Sequence, residues 1–104
     1  MGITKDAEVV ICFVYKMYLE RRKNGVPKRD AIRFDDDFYK SDRVLSELDP
    51  RDISTHLLEL ARNGYIKIYI GGNFDLLDTT IIYMENRFKK GITDVLSFLA
   101  QFIP

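Results

Sequence analysis

The chain carries little that would cross-link, disorder or charge it. A single cysteine, Cys12, stands among 104 residues, which excludes an intrachain disulfide and suits a reducing compartment. It lies in the apolar stretch EVVICFVYKMYL, with no histidine or basic neighbour in its helical turn to lower its pKa. It therefore reads as a small buried side chain rather than a reactive thiol. Proline occurs three times and glycine six, and no low-complexity tract is present, which argues against disorder beyond the termini. Net charge is absent as well. Sixteen Lys and Arg balance sixteen Asp and Glu, so indiscriminate phosphate binding is disfavoured and only a local basic patch could hold nucleic acid.

Long apolar runs are also missing. Nothing approaches the ~20 residues that span a bilayer. The run over residues 9–15 is short, follows Asp6 and Glu8, and precedes no small-residue cleavage site, so it does not read as a secretory leader. A cytoplasmic location is expected. His56 is the only histidine, and without a second His or a partner Cys it makes no zinc site. Asp35, Asp36 and Asp37 are adjacent carboxylates without the spacing of a calcium or magnesium loop. No base has an organised partner for acid–base work. The chain is not expected to be an enzyme, and no cofactor or metal is expected.

What is present is enough apolar material for a core, with 46% hydrophobic residues, and enough charge for solubility, at 31%. This is one domain's worth of chain, residues 1–104, with a core over about 4–80 and a closing helix over about 80–102. Thr4 can cap a first helix running to about residue 24. Asp6 and Glu8 sit in its first turn, Arg21, Arg22 and Lys23 in its last, and Gly25 ends it. Val10, Val14 and Met17 mark one of its faces. Cys12, Tyr15 and Leu19 mark nearly the opposite one, so something besides the local core must cover it. A short helix beginning near Pro27 or Lys28 would turn Ala31 and Phe34 inward, and a further helix is expected over about 38–45.

The stretch DPRDISTHLLELARNG is the clearest helix. Asp49 is its N-cap, Pro50 its first residue, and Asn63-Gly64 its stop. At about 100° per residue, Ile53, Leu57 and Leu60 face inward, while Arg51, Thr55, Leu58, Glu59 and Arg62 face outward. Residues 65–78 then read as a β-hairpin. Ile66, Ile68 and Ile70 are expected to face the core, and Gly71, Gly72 and Asn73 form the turn. From Ile81 to Phe102 one apolar stripe continues in phase across Gly91, which predicts a single long helix.

The expected class is mainly α with a β-hairpin (α+β). Helix, short helix, helix, hairpin, long helix is the order of a winged helix-turn-helix. The segment DISTHLLELARNGYIKIYIGG, leading into DTTIIYMENRF, resembles the third helix, wing and closing helix of small bacterial winged-helix proteins. Leu57, Leu60, Asn63, Gly64, Tyr65 and Ile66 carry the likeness, which covers about residues 53–88. It implies a winged-helix fold and, less specifically, a DNA-binding transcriptional regulator. Winged helices also serve as protein–protein interaction modules without a DNA role, and that alternative stays open.

On the first reading, Arg51, Ser54, Thr55 and Arg62 would read the groove. Arg21, Arg22, Lys23, Lys28, Arg29 and Arg33 would hold the backbone, against the alternative that they serve the helix dipole. Glu59 interrupts the reading face, and the wing offers only Lys67, with no cation at its tip. That hairpin is expected to be structural or to pack on protein. The two terminal helices suggest a homodimer through Cys12, Tyr15, Leu19, Val95, Phe98, Leu99 and Phe102. The alternative is that the last helix folds back on the first within one chain.

Overall fold

The computed structural model describes residues 2–102. In chain order it contains α1 (Lys5–Lys23), α2 (Lys28–Ala31), β1 (Arg33–Phe34), α3 (Pro50–Arg62), β2 (Ile66–Ile68), β3 (Phe74–Leu76), α4 (Asp78–Arg87) and α5 (Ile92–Leu99). Short 3-10 turns occupy Phe38–Ser41, Leu45–Glu47 and Ala100–Phe102. The protein is mainly helical with a small antiparallel sheet in the order β1-β3-β2.

Helix α1 is the axis of the fold. Thr4 caps it, its Oγ1 accepting the Ala7 amide at 3.2 Å. Both of its faces are buried, because α3 packs on one side and α5 on the other. The cover that its sequence demanded comes from within the same chain. Helix α3 follows its pattern closely. Asp49 accepts the Arg51 amide at 2.9 Å, and Ile53, Leu57 and Leu60 are buried. The hairpin is also formed as expected, with Ile66 opposite Leu76, Lys67 opposite Asp75 and Ile68 opposite Phe74. Strand β1 adds to its far side, Phe34 opposite Phe74. Stacking of Phe34 on Phe74 (5.2 Å) and the edge contact of Phe38 with Phe74 (5.1 Å) fasten the sheet to the turn that follows β1. Offset and edge-on aromatic contacts of this kind contribute about 0.5–1.5 kcal/mol each beyond the area they bury.

Three expectations are corrected. The helix expected over about 38–45 is replaced by the 3-10 turns Phe38–Ser41 and Leu45–Glu47. The cause is Asp42, whose Oδ1 accepts the amides of Val44 and Leu45. A side chain that takes up backbone donors locally competes with helix formation.

Ile70 does not face the core. Strand β2 ends at Ile68, the Tyr69 amide donates to Asn73 and the Gly72 amide to Tyr69, so the chain has already turned and Ile70 is fully exposed.

The single helix expected over about 80–102 is two helices. Gly91 adopts φ 64°, ψ −129°, a region open to glycine and strained for other residues. The chain there redirects α5 onto α1. Phe88, at the break, is buried beside Tyr15 (6.4 Å) and Phe98 (5.8 Å). The apolar stripe stays in phase because each helix needs its own inward face; periodicity reports burial, not continuity.

Of the residues assigned to a dimer, Cys12, Tyr15, Val95 and Leu99 are buried inside this chain, and Leu19 and Phe98 pack partly buried against its core. Phe102 is half-buried, 5.2 Å from Phe98. The last helix packs on the first within this chain, and Leu19, Phe98 and Phe102 keep part of their surface exposed.

Candidate functional site

The surfaces that the sequence nominates are the outward face of α3, the hairpin and the basic segment over residues 21–33. On α3, Arg51, Ser54, Thr55, Leu58 and Arg62 are all exposed and fall within one arc of about 100°. The face is uncovered, and two of its four nominated polar groups, Arg51 and Thr55, are engaged within α3 and its cap. Arg51 turns back on the N-cap carboxylate, with Nε 3.3 Å from Asp49 Oδ1 and Nη2 2.9 Å from Oδ2. This pairing raises the Arg51 pKa and lowers that of Asp49. Thr55 Oγ1 donates to the Arg51 carbonyl at 3.0 Å. Glu59 is not a stray acid on the face. Its carboxylate accepts the Thr4 amide and, at 2.9 Å, the Thr4 hydroxyl, and the amide is the chief cause of its lowered pKa. The carboxylate thus pins the start of α1 to α3.

The basic segment is divided among several jobs. Arg21 Nη1 donates to the carbonyls of Ala31 (3.2 Å) and Arg33 (2.6 Å), and its guanidinium lies 4.1 Å from the Phe34 ring centre. Burial lowers its pKa, with Asp35 opposing. Arg21 is a staple between α1 and β1. Arg22 donates to the Val26 carbonyl at 3.1 Å. Lys28 pairs with Asp78 at 3.1 Å and Arg33 with Asp75 at 4.0 Å. Among the described residues, only Lys23 and Arg29 of the six are exposed with neither an ion pair nor a hydrogen bond from the side chain.

The basic end of α1 is remote from the contact that pins its start to α3. Thr4 is fixed to Glu59, and a helix rises about 1.5 Å per residue, so Arg22 lies about 27 Å along α1 from that contact. The whole molecule measures 32 × 32 × 28 Å. The basic end of α1 therefore lies most of a molecular diameter from the point where α3 grips its start.

In the hairpin, Lys67 sits on β2 rather than at the tip. It lies 5.2 Å over the Tyr69 ring, while the Tyr69 hydroxyl donates to Asp75 at 2.8 Å. The tip itself presents Ile70. Periodicity could not identify Ile70 as a surface residue, because the alternation that marks β2 runs on in sequence past the point where the strand stops. Other large apolar side chains are exposed as well: Leu58 on α3, Tyr69 beside the tip, Ile82 and Tyr83 on α4, and Leu96 on α5.

Among the described residues no helix is long and apolar enough to cross a membrane, and no group of three or more His, Cys, Asp or Glu is placed to hold a metal ion. No family model, no curated protein and no solved structure matches the chain.

Proposed function

We propose that this chain is a winged-helix module that recognises another protein through the outward face of α3 and the hairpin. The observation that carries this reading is the division of labour on its surface. Most of the nominated cations are tied to carbonyls or carboxylates of the same chain, whereas Leu58 and Ile70 stand in solvent. A phosphate backbone is held by available positive charge, and protein interfaces are centred on desolvated apolar side chains. The winged-helix part of the proposal draws on the order β1-β3-β2 and on a hairpin that directly follows α3. The weaker match lies just before α3, where 3-10 turns stand in place of the second helix of a helix-turn-helix.

A second reading, a DNA-binding regulator, is favoured by one feature: Arg51, Ser54, Thr55 and Arg62 share the uncovered face of α3. An exposed Arg–Asp pair contributes little, so Arg51 could leave Asp49 for a base edge. Affinity purification from nuclease-treated extract of the cells that make the protein separates the readings. The module should retain a protein partner that both Leu58→Asp and Ile70→Asp release. Retention of nucleic acid before nuclease treatment, with no protein lost in either variant, would favour the regulator instead.

A further inference from the structure

The same dipeptide closes two helices: Asn24-Gly25 follows α1 and Asn63-Gly64 follows α3. The two caps share one backbone geometry. Asn24 has φ −86° and ψ 12°, Asn63 has φ −99° and ψ 9°, and the glycines follow at φ 85° and 80°. Each cap makes the same pair of bonds back to its helix. The Gly25 and Val26 amides donate to the carbonyls of Arg22 and Arg21, and the Gly64 and Tyr65 amides to those of Ala61 and Leu60, all at 3.0–3.2 Å. What differs is how the surroundings hold each cap. Asn63 Nδ2 donates to the Glu59 carbonyl at 2.9 Å. The Tyr65 carbonyl just beyond accepts the Leu77 amide at 3.3 Å and the hydroxyl of the buried Thr80 at 2.7 Å. Asn24 is exposed, and its side chain makes no hydrogen bond among the described residues. Beyond it, the Val26 carbonyl accepts one bond, at 3.1 Å, from the exposed side chain of Arg22.

From this contrast we infer that Asn24 is a site of spontaneous deamidation in the folded protein, and that the fold protects Asn63 from the same reaction. The chemistry is hydrolysis of the side-chain amide through a cyclic imide. The Gly25 nitrogen gives up its proton to hydroxide and attacks Asn24 Cγ. The new N–Cγ bond closes a five-membered ring, the Cγ–Nδ2 bond breaks, and Nδ2 leaves as ammonia after taking a proton from water. A second water then opens the ring at either carbonyl, giving aspartate or isoaspartate. Glycine favours the attack because no side chain shields its nitrogen. With ψ near zero the glycine nitrogen is turned away from the side-chain carbon, so either cap must open before the ring can close. Opening at Asn24 breaks the two cap bonds and disturbs one surface side chain. Opening at Asn63 also breaks the Asn63 side-chain bond and strains the carbonyl that fastens Tyr65 to α4. Local opening is easiest where the fewest internal bonds must be given up. The product adds one negative charge to a chain of zero formal net charge. That charge falls at the C-terminal end of α1, where the helix dipole disfavours it. The inference rests on neither reading of the surface, since it involves no partner.

The test is to hold the full chain at pH 8 for several weeks, native and in urea, and to follow both sites by peptide mass spectrometry. Fragmentation that separates aspartate from isoaspartate identifies the products. In the native protein Asn24 should deamidate about tenfold faster than Asn63, the factor that one or two net hydrogen bonds supply. In urea the two sites should react at closely similar rates, because the surroundings that distinguish them are gone. Thr80→Val removes the hydroxyl that holds the Tyr65 carbonyl, and should raise the native rate at Asn63 while leaving that at Asn24 unchanged. The inference is overturned if the two sites deamidate equally in the native protein, if Asn63 is the faster, or if neither reacts until urea is added. It is overturned as well if the same preference for Asn24 persists in urea, since the fold would then not be its cause.

Discussion

Replacing Arg21 with alanine should destabilise the protein far more than an ordinary surface substitution. The guanidinium supplies two hydrogen bonds from one charged nitrogen, to the carbonyls of Ala31 and Arg33, and covers the face of Phe34. A hydrogen bond from a charged donor contributes about 1.5–3 kcal/mol, and a cation over a ring about 0.5–2 kcal/mol. Arg21 is only half-buried, so solvent takes up part of each loss. The combined cost is about 2–4 kcal/mol, against a total stability of about 5–15 kcal/mol for a domain. In urea, with a slope of about 1–3 kcal/mol per molar, the midpoint should fall by about 1–2 M at unchanged slope. Arg21→Lys keeps the charge but loses the planar fork, and should recover less than half of the loss. Arg29→Ala, at an exposed site without an ion pair, should stay within about 0.5 kcal/mol of wild type. If Arg21→Ala behaves like Arg29→Ala, the guanidinium is not a staple. The cations of this segment would then be available to a ligand rather than committed to the fold.

Gly91→Ala gives opposite signs for two geometries. With φ 64° and ψ −129° it should cost about 1–3 kcal/mol, whereas in a continuous helix alanine would gain about 1 kcal/mol over glycine; thermal unfolding decides. For Asp42, burial alone would raise the carboxyl pKa. The Leu45 amide, Lys16 at 2.9 Å and the Val44 amide outweigh burial and hold it below the usual carboxylate range. A depressed carboxyl pKa stabilises the fold above the unfolded-state value and ceases to do so as pH falls through the folded one. Urea midpoints from pH 7 to pH 3 should therefore drop more steeply below about pH 4 for wild type than for Asp42→Asn. Burial pushes the Cys12 thiol up to about 12, so an aromatic disulfide reagent at pH 8 should leave it unmodified in the native protein and react promptly in urea. Rapid native labelling would contradict its burial.

Much of what is decided within a few residues was legible in the sequence, although the bonds from Asp42 to the Val44 and Leu45 amides were not. Thr4 and Asp49 cap their helices because an N-cap needs only its own hydroxyl or carboxylate and the next few amides. Ile53, Leu57 and Leu60 are buried because their helical spacing makes one stripe. Residues 65–78 announced a hairpin through alternation and Gly71-Gly72. Where the outcome depends on distant partners, the sequence misleads. The two apolar faces of α1 stated that a second cover was needed but not which chain supplies it, and α5 supplies it from within. The path of Gly91 follows from that docking and not from helix propensity. The charges of residues 21–33 were countable, but the carbonyls of Ala31 and Arg33 come within reach of Arg21 only after β1 has joined the sheet.

Duplex DNA of random sequence, titrated at about 50 and 200 mM salt, tests most directly the claim that the cations on this surface belong to the fold. Nonspecific DNA binders bind with dissociation constants of about 10⁻⁴–10⁻⁶ M at physiological salt and much tighter at low salt. No binding is expected at about 50 mM salt with about 100 μM protein, a range in which any phosphate-gripping surface would register. Micromolar affinity that weakens steeply with salt, and that Arg51→Ala and Arg29→Ala both reduce, would contradict it.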